Sequence, residues 1–376
     1  MGNNCLSQRP PARRAAWIIP GSGKRQKCVS TSYVAAATGG KATALKTTNQ
    51  RRAMIWAAVG AALVLLMGCA HHYALPQEAQ QWAYRVDTPF ESGVMPWAPV
   101  FIVYGHAQEY NRIGRPTIRI DDDGRELVFV DPDHPSIYYM QRSFTTTKAA
   151  YTNEIYRVHF PEVPYNFGPF NLTAGKNVGV LVVVTLDEQN RPVLVTSVGT
   201  CGCYKAFVPT QYLPADALPR DWTGQRQKVY GEDLPRMLSL EGYRQPRFVV
   251  HLRPQVHRVM DLEVLDDAQL SSQRFLSVPM QSYPMDLLNR LPADGDFKSF
   301  YHQEGVLKGH VKGSMKPFES LFMSLISLDF FVGMDKAYAD PAQTGNPFYT
   351  SLKPWRRSDS NMWDFARFLS YWGWRL

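Results

Sequence analysis

The stretch VGVLVVVTL, residues 178–186, followed by DEQN at 187–190 and PVLVTSV at 192–198, decides the fold. An uninterrupted apolar run of this length is typical of a strand that is buried on both faces of a sheet. The four polar residues between the two apolar runs predict a hairpin turn. We therefore expect residues 177–186 and 192–198 to form a hairpin at the centre of the core.

Several other stretches also have strand character. Residues 117–120 and 127–130 flank Asp-Asp-Asp-Gly at 121–124, and Asp-Gly supplies the positive φ that a tight hairpin turn needs. Residues 151–160 alternate between two faces, which is the periodicity of a half-buried strand. The remaining strands are expected at 100–104 and, as a pair, within 247–265.

Helical patterns are short and concentrate near the C-terminus. We expect a short helix at 77–84, a helical turn at 285–291 and helices at 317–331 and 361–372. Two wide apolar faces, which should pack inward, are Phe318, Leu321, Phe322, Leu325 and Ile326 in one helix, and Trp363, Phe365, Phe368, Leu369 and Trp372 in the other. The predicted fold class is α+β, with a central, mainly antiparallel β-sheet and C-terminal helices packed on it. Residues 96–280 would be a β-rich domain, and residues 281–376 a helical part of the same body.

The N-terminal region has a different character. Arg51 and Arg52 precede thirteen uncharged, mostly apolar residues, 55–67, which is the length of a signal-peptide core and too short to span a bilayer. The run ends in Leu66-Met67-Gly68-Cys69. We interpret residues 1–53 as either a mis-assigned start or an n-region leader, outside the folded body in both cases, 54–68 as a lipoprotein signal peptide and 69–95 as a lipidated tether.

These residues resemble the lipobox of bacterial lipoproteins, in which a small residue precedes an obligatory cysteine. The resemblance implies that the Cys69 thiol takes a diacylglycerol, that the chain is then cut between Gly68 and Cys69, and that the new amino terminus is acylated. Ala70 in place of Asp implies retention in the outer membrane, on its periplasmic face. The partners would then be the membrane itself, through the lipid anchor, and an envelope protein. The alternative is a buried apolar helix that happens to contain Cys69.

Charge argues against a nucleic-acid partner. The chain has a formal net charge of +8, but residues 1–68 hold ten Lys and Arg and no Asp or Glu. The chain from Cys69 onward therefore carries 31 basic and 33 acidic residues, a net charge of −2. A basic surface for nucleic acid is not expected on such a body.

The best candidates for chemistry are two cysteines and two histidines. Cys201 and Cys203 are two apart, and His251 and His257 are six apart, so each pair would share a face of a strand. Two thiolates and two imidazoles would suit zinc or copper, although the spacing is unlike a zinc finger and Pro254 interrupts the second pair. The alternatives are a disulfide or redox-active pair at Cys201 and Cys203, or no chemistry at either pair.

The sequence thus favours an outer-membrane-anchored periplasmic lipoprotein that serves as an envelope binding or interaction module of unknown ligand. The competing hypothesis is an enzyme, either a metal-dependent hydrolase or a thiol redox protein, centred on Cys201 and Cys203 with His251 and His257.

Overall fold

The computed structural model describes residues 80–86, 95–165, 172–272 and 275–376. The predicted leader, signal peptide and lipobox, including Cys69, lie outside the described residues, as does most of the predicted tether. All of the described residues belong to one compact unit.

The strands, in chain order, are β1 (Gln81–Val86), β2 (Val100–Tyr104), β3 (Arg115–Ile120), β4 (Glu126–Asp131), β5 (Ser136–Thr145), β6 (Ala150–Val163), β7 (Gly175–Leu186), β8 (Pro192–Gly199), β9 (Ala206–Pro209), β10 (Arg226–Val229), β11 (Glu232–Pro235), β12 (Pro246–Leu252), β13 (Val259–Asp266), β14 (Leu276–Pro284), β15 (Leu291–Ala293) and β16 (Asp296–Lys298). Ten of them form one sheet in the order β13-β12-β2-β1-β14-β5-β6-β7-β8-β9. The other six pair as β3–β4, β10–β11 and β15–β16.

The predicted α+β fold class, with its mainly antiparallel central sheet and packed helices, is wrong. The ten-stranded sheet is mixed, because β2 pairs in parallel with β12, and β14 pairs in parallel with both β1 and β5. These parallel neighbours are far apart along the chain, so local hairpin signals could not reveal them.

The described residues contain four short α-helices: α1 (Asp267–Ser272), α2 (Pro317–Ser327), α3 (Pro341–Thr344) and α4 (Phe365–Tyr371). The inward apolar face that we expected for 317–331 is wrong, because Leu321, Leu325 and Ile326 are 65%, 81% and 59% exposed. In α4, by contrast, Phe365, Phe368 and Leu369 are buried. Irregular C-terminal segments already cover much of that face of the sheet, which leaves the outer side of α2 in contact with solvent.

The central hairpin is confirmed. In β7, Val180, Val182 and Val184 belong to one buried cluster. The alternating Leu181 and Val183 belong to a second cluster, on the opposite face of the sheet. The strand is therefore covered on both sides, as its unbroken apolar run predicted.

The two cores have different walls. The first lies between β6–β8 and the far end of the same sheet, since it also contains residues of β2, β12 and β13. The sheet must curve for its two ends to share this core. The second lies between the opposite face of β5–β8 and the chain after Met285, including α4 and Trp374.

The predicted hairpin turns are also confirmed. Asn190 has φ of 58°, and its N–H donates to the Asp187 carbonyl. Gly124 has φ of 76°, and its N–H donates to the Asp121 carbonyl. Both turns use a residue that tolerates the left-handed region.

The short helix predicted at 77–84 is not formed over its described residues, because residues 81–86 are strand β1. β1 lies between β2 and β14, and its backbone groups pair with both neighbours. Sheet hydrogen bonds on both sides outweigh the weak local preference for helix. Among the described residues, no helix is long and apolar enough to cross a membrane.

A buried ion cluster ties β11 to the connection between β12 and β13. Arg253 Nε and Nη2 donate to the two carboxylate oxygens of Glu232, each at 2.6 Å. Arg258 Nε donates to the same carboxylate at 2.6 Å. The Arg258 guanidinium also lies over the ring of Tyr204, 5.5 Å from its centroid, and so contacts the loop that follows β8.

Candidate functional site

The loop between β8 and β9 contains a disulfide bond. Cys201 and Cys203 are joined through their sulfur atoms, with their Cα atoms 5.5 Å apart. Gly202 between them has φ of +90°, and a Cβ there would lie 2.1 Å from the carbonyl oxygen of Tyr349. Only glycine therefore lets the segment around Tyr349 lie against the disulfide loop.

The two histidines lie elsewhere and have other partners. His251, on β12, hydrogen-bonds through Nδ1 with the Tyr104 hydroxyl at 2.9 Å and lies 2.8 Å from Glu263 through Nε2. His257 stacks on Phe160 with ring centroids 4.1 Å apart, and its Nε2 donates to the Glu162 carbonyl at 2.9 Å.

The structure thus brings Cys201 and Cys203 together, but it does not bring His251 and His257 into one site with them. Among the described residues, no group of three or more His, Cys, Asp and Glu side chains is placed to hold a metal ion. A zinc or copper ion would therefore find no assembled set of protein ligands in this part of the chain.

The disulfide lines a cavity of about 450 Å³. The walls are mostly apolar and aromatic, and they include Leu172, Tyr204, Tyr230, Met323, Val332, Tyr349, Leu352, Tyr371 and Trp372. Its volume lies within the range of small-molecule sites, and apolar walls with few polar groups are typical of such sites.

One lysine places a positive charge in this cavity. Lys205 Nζ lies 3.6 Å from the centroid of the Trp372 ring and donates to the Tyr230 hydroxyl at 3.1 Å. Burial lowers the pKa of Lys205 to about 8. The site therefore holds an ammonium group whose partners are an indole ring and a neutral phenol.

A carboxyl group lies on another wall. Glu319, on α2, places its carboxyl against Gly333, where a Cβ would lie 2.4 Å from Oε2. Burial raises the pKa of Glu319, and the charges of Lys316 and Lys336 oppose that rise. Among the described residues, Oε2 has no hydrogen-bond partner.

A second lysine supports the disulfide loop from behind. Lys336 is fully buried, and its Nζ donates to the carbonyls of Cys201 at 2.9 Å and Met334 at 3.2 Å. Its ammonium also lies 4.6 Å from the ring centroid of Tyr349. Burial lowers the pKa of Lys336 to about 8. Its contacts indicate that Lys336 holds the loop in place and does not contact a ligand.

Sequence reasoning missed Lys205, Glu319 and Trp372. Lys205 follows Cys203 by two residues, within the apolar and aromatic stretch YKAF, and a charge in such a stretch was a usable signal. Glu319 and Trp372 are more than 100 residues away along the chain, and no local pattern connects them with the cysteines.

Another groove, of about 750 Å³, lies beside β4 and β7. It includes Glu126, Lys176, His302 and Lys312. Lys312 is paired there with Glu126. Because the disulfide cavity has an ammonium without a carboxylate partner, we regard that cavity as the better candidate site.

The chain matches no known family model, and no curated protein or solved structure is significantly similar to it. Function must therefore be argued from the site itself.

The pH dependence of stability tests the environment of His257. Burial lowers the pKa of His257 to about 4, below the ordinary value of 6.5. Between pH 6.5 and 4 the imidazole of His257 binds a proton in the unfolded chain but not in the folded chain. The stability that the neutral, buried imidazole contributes is therefore fully present above about pH 6.5 and is lost as the pH falls. We expect His257→Asn, which suits the positive φ of 54°, to reduce the loss of unfolding free energy between pH 6.5 and 5 by about 2 kcal/mol.

Urea unfolding at several pH values measures this difference. His310, whose pKa burial likewise lowers to about 4, remains in the variant, so part of the acid sensitivity should persist. Gln255→Asn alters the same turn, also at positive φ, without removing a titrating group and serves as the control. Equal pH slopes in His257→Asn and the unchanged protein would show that His257 is not held neutral.

Proposed function

We propose that this chain is a lipid-anchored protein of the bacterial outer membrane that binds a ligand with an apolar body on the periplasmic side. The observation that carries the binding role is the cavity of about 450 Å³ beside the disulfide, with its apolar walls and the partly buried ammonium of Lys205. Preformed cavities of this kind are the usual sites for small molecules and extended segments.

The anchor rests on the sequence around Cys69. Ten residues, 70–79, separate Cys69 from the first described residue, Gln80. A chain of that length spans at most about 40 Å when fully extended. A lipid on Cys69 would therefore keep Gln80, at the start of the described body, within about 40 Å of the membrane surface. Acyl chains contribute about 0.8 kcal/mol per buried CH₂ group, so several of them make attachment effectively permanent.

Replacing Cys69 tests the anchor. We expect Cys69→Ser to abolish palmitate labelling of the chain and to leave residues 54–68 uncleaved, because lipidation precedes cleavage in the lipoproteins that the motif resembles. Cys28→Ser, a cysteine change within the leader, is the matched control and should leave both unchanged. The mass of the mature N-terminal peptide then gives the cleavage site directly. Palmitate labelling that persists in Cys69→Ser would exclude this residue as the attachment point.

Filling the cavity tests the binding role. Met323 lines the cavity, whereas Leu321, on the same helix, is 65% exposed and points away from it. We expect Met323→Trp to weaken binding of Nile red, a neutral apolar dye, at least about tenfold, because the indole occupies ligand space and overpacking disfavours a second occupant. Leu321→Trp should bind the dye within about twofold of the unchanged protein. Fluorescence titration measures both, and undiminished binding by a folded Met323→Trp would rule the cavity out.

A second function, thiol–disulfide exchange, is favoured by the position of the disulfide. Cys201 and Cys203 both line the cavity. A cross-link between residues two apart closes a very short loop, for which chain entropy predicts only about 1.5 kcal/mol of stabilisation. In an exchange, a partner thiolate would attack one sulfur and form a mixed disulfide. A second partner thiol would then release both cysteines as thiols while the partner is oxidised by two electrons.

The two cysteines predict different outcomes in a trapping experiment. Cys201 is 6% exposed, whereas Cys203 is partly exposed, so an incoming thiolate would reach Cys203. This function predicts that Cys201→Ser, which keeps Cys203, accumulates mixed disulfides with envelope proteins. Cys203→Ser should accumulate few. Non-reducing electrophoresis after acid quenching and alkylation measures both, and the absence of adducts in both variants would show that the bond is structural.

A further inference from the structure

The ammonium of Lys205 has no negatively charged partner. Its contacts are the Trp372 ring, at 3.6 Å, and the Tyr230 hydroxyl, at 3.1 Å. No carboxylate of the described residues lies within ion-pair distance of it. A neutral phenol and an indole face accept an ammonium, but neither neutralises its charge.

Partial burial of a cation raises the free energy of the folded protein, because the cation loses hydration, unless a counter-ion compensates for the loss. Burial lowers the pKa of Lys205 to about 8, which is the response of an ammonium that lacks such a counter-ion. An anion that enters the cavity would recover the lost interaction. Lysine suits this role because its flexible stem carries a compact charge with three donors.

The other charged side chains that line the cavity are Glu319 and Lys353. Burial raises the pKa of Glu319, and the charges of Lys316 and Lys336 oppose that rise. Lys336 lies behind the disulfide loop, where it donates to two carbonyls. Lys353, at the cavity rim, adds another positive charge. The electrostatic balance therefore favours a negative ligand.

The walls select for a ligand that is not wholly polar. Met323, Val332 and Leu352 line the cavity together with several aromatic rings. The helix that contributes Met323 presents Leu321 and Leu325 to solvent on its other side, 65% and 81% exposed. Only the inner side of the helix therefore contributes to the cavity, and its apolar and aromatic walls suit a ligand with an apolar chain.

We propose that the cavity binds an amphiphile with one anionic headgroup. The headgroup pairs with Lys205, and the apolar chain lies among the aromatic walls. This inference rests on the proposed binding function and names the chemical class of the ligand. A fatty-acid carboxylate and a lipid phosphate share this chemistry.

The test is displacement of Nile red from the full-length Cys69→Ser chain, with the Met323→Trp variant of the same chain giving the background of dye bound outside the cavity. We expect decanoate to bind at least about tenfold more tightly than decanol, because a hydrogen bond to a charged group adds to the same chain burial. Lys205→Met should bind the two equally. Lys205→Arg, which keeps the charge, should retain the preference, and Nile red binding by Lys205→Met shows that this variant is folded. Lys148→Met, at an exposed lysine that is paired with Asp216, is the matched control and should also retain it.

Decyl phosphate distinguishes the source of the headgroup. Tighter binding of decyl phosphate than of decanoate would support a phospholipid ligand, and the reverse order would support a free fatty acid. Equal binding of decanol and decanoate by the unchanged protein would overturn the inference, as would a preference that survives in Lys205→Met. Either result would leave the binding function standing if Met323→Trp still abolishes dye binding. Dye binding that survives Met323→Trp would instead overturn the proposed function.

Discussion

The rest of the structure depends on the burial of both faces of β7. Every residue of Gly175–Leu186 except Lys176 is buried. Because side chains alternate across a strand, such a strand must supply two cores at once. One core is closed by the far end of the same sheet, which has to curve to reach it, and the other by the chain after Met285. The mixed order of the strands and the position of the C-terminal segment both follow from covering this strand.

The candidate site forms because the chain after Met285 covers the second face of the sheet. β8 pairs with β7 and ends at Gly199, so the disulfide loop emerges at the edge of the core, where the C-terminal segment passes. Lys336 holds the Cys201 carbonyl, and the backbone of Tyr349 rests against Gly202. The segment that buries the sheet therefore also forms the cavity walls, and the stability of the core and the shape of the site are coupled.

Buried and partly buried charged groups in this protein have different environments. Glu232 accepts hydrogen bonds from two arginines, and Lys336 donates to backbone carbonyls, so these charges are compensated within the fold. Lys205 and the Glu319 carboxyl, which both line the cavity, are compensated far less. Charged or polar groups at the wall of a cavity that lack a protein partner of opposite charge can pair with a ligand instead.

The sequence by itself determined the elements that depend on local geometry. The unbroken apolar run of β7, the Asp-Gly turn at 124 and the polar turn at 187–190 predict strands and hairpins, because backbone conformation and side-chain alternation act over a few residues. The closeness of Cys201 and Cys203 was likewise local. Only the tertiary structure decided the parallel pairs of β2 and β14, the outward face of α2 and the separation of His251 and His257 from the disulfide. Each of these depends on which apolar surface of a distant segment remains to be covered, and no local pattern contains that information.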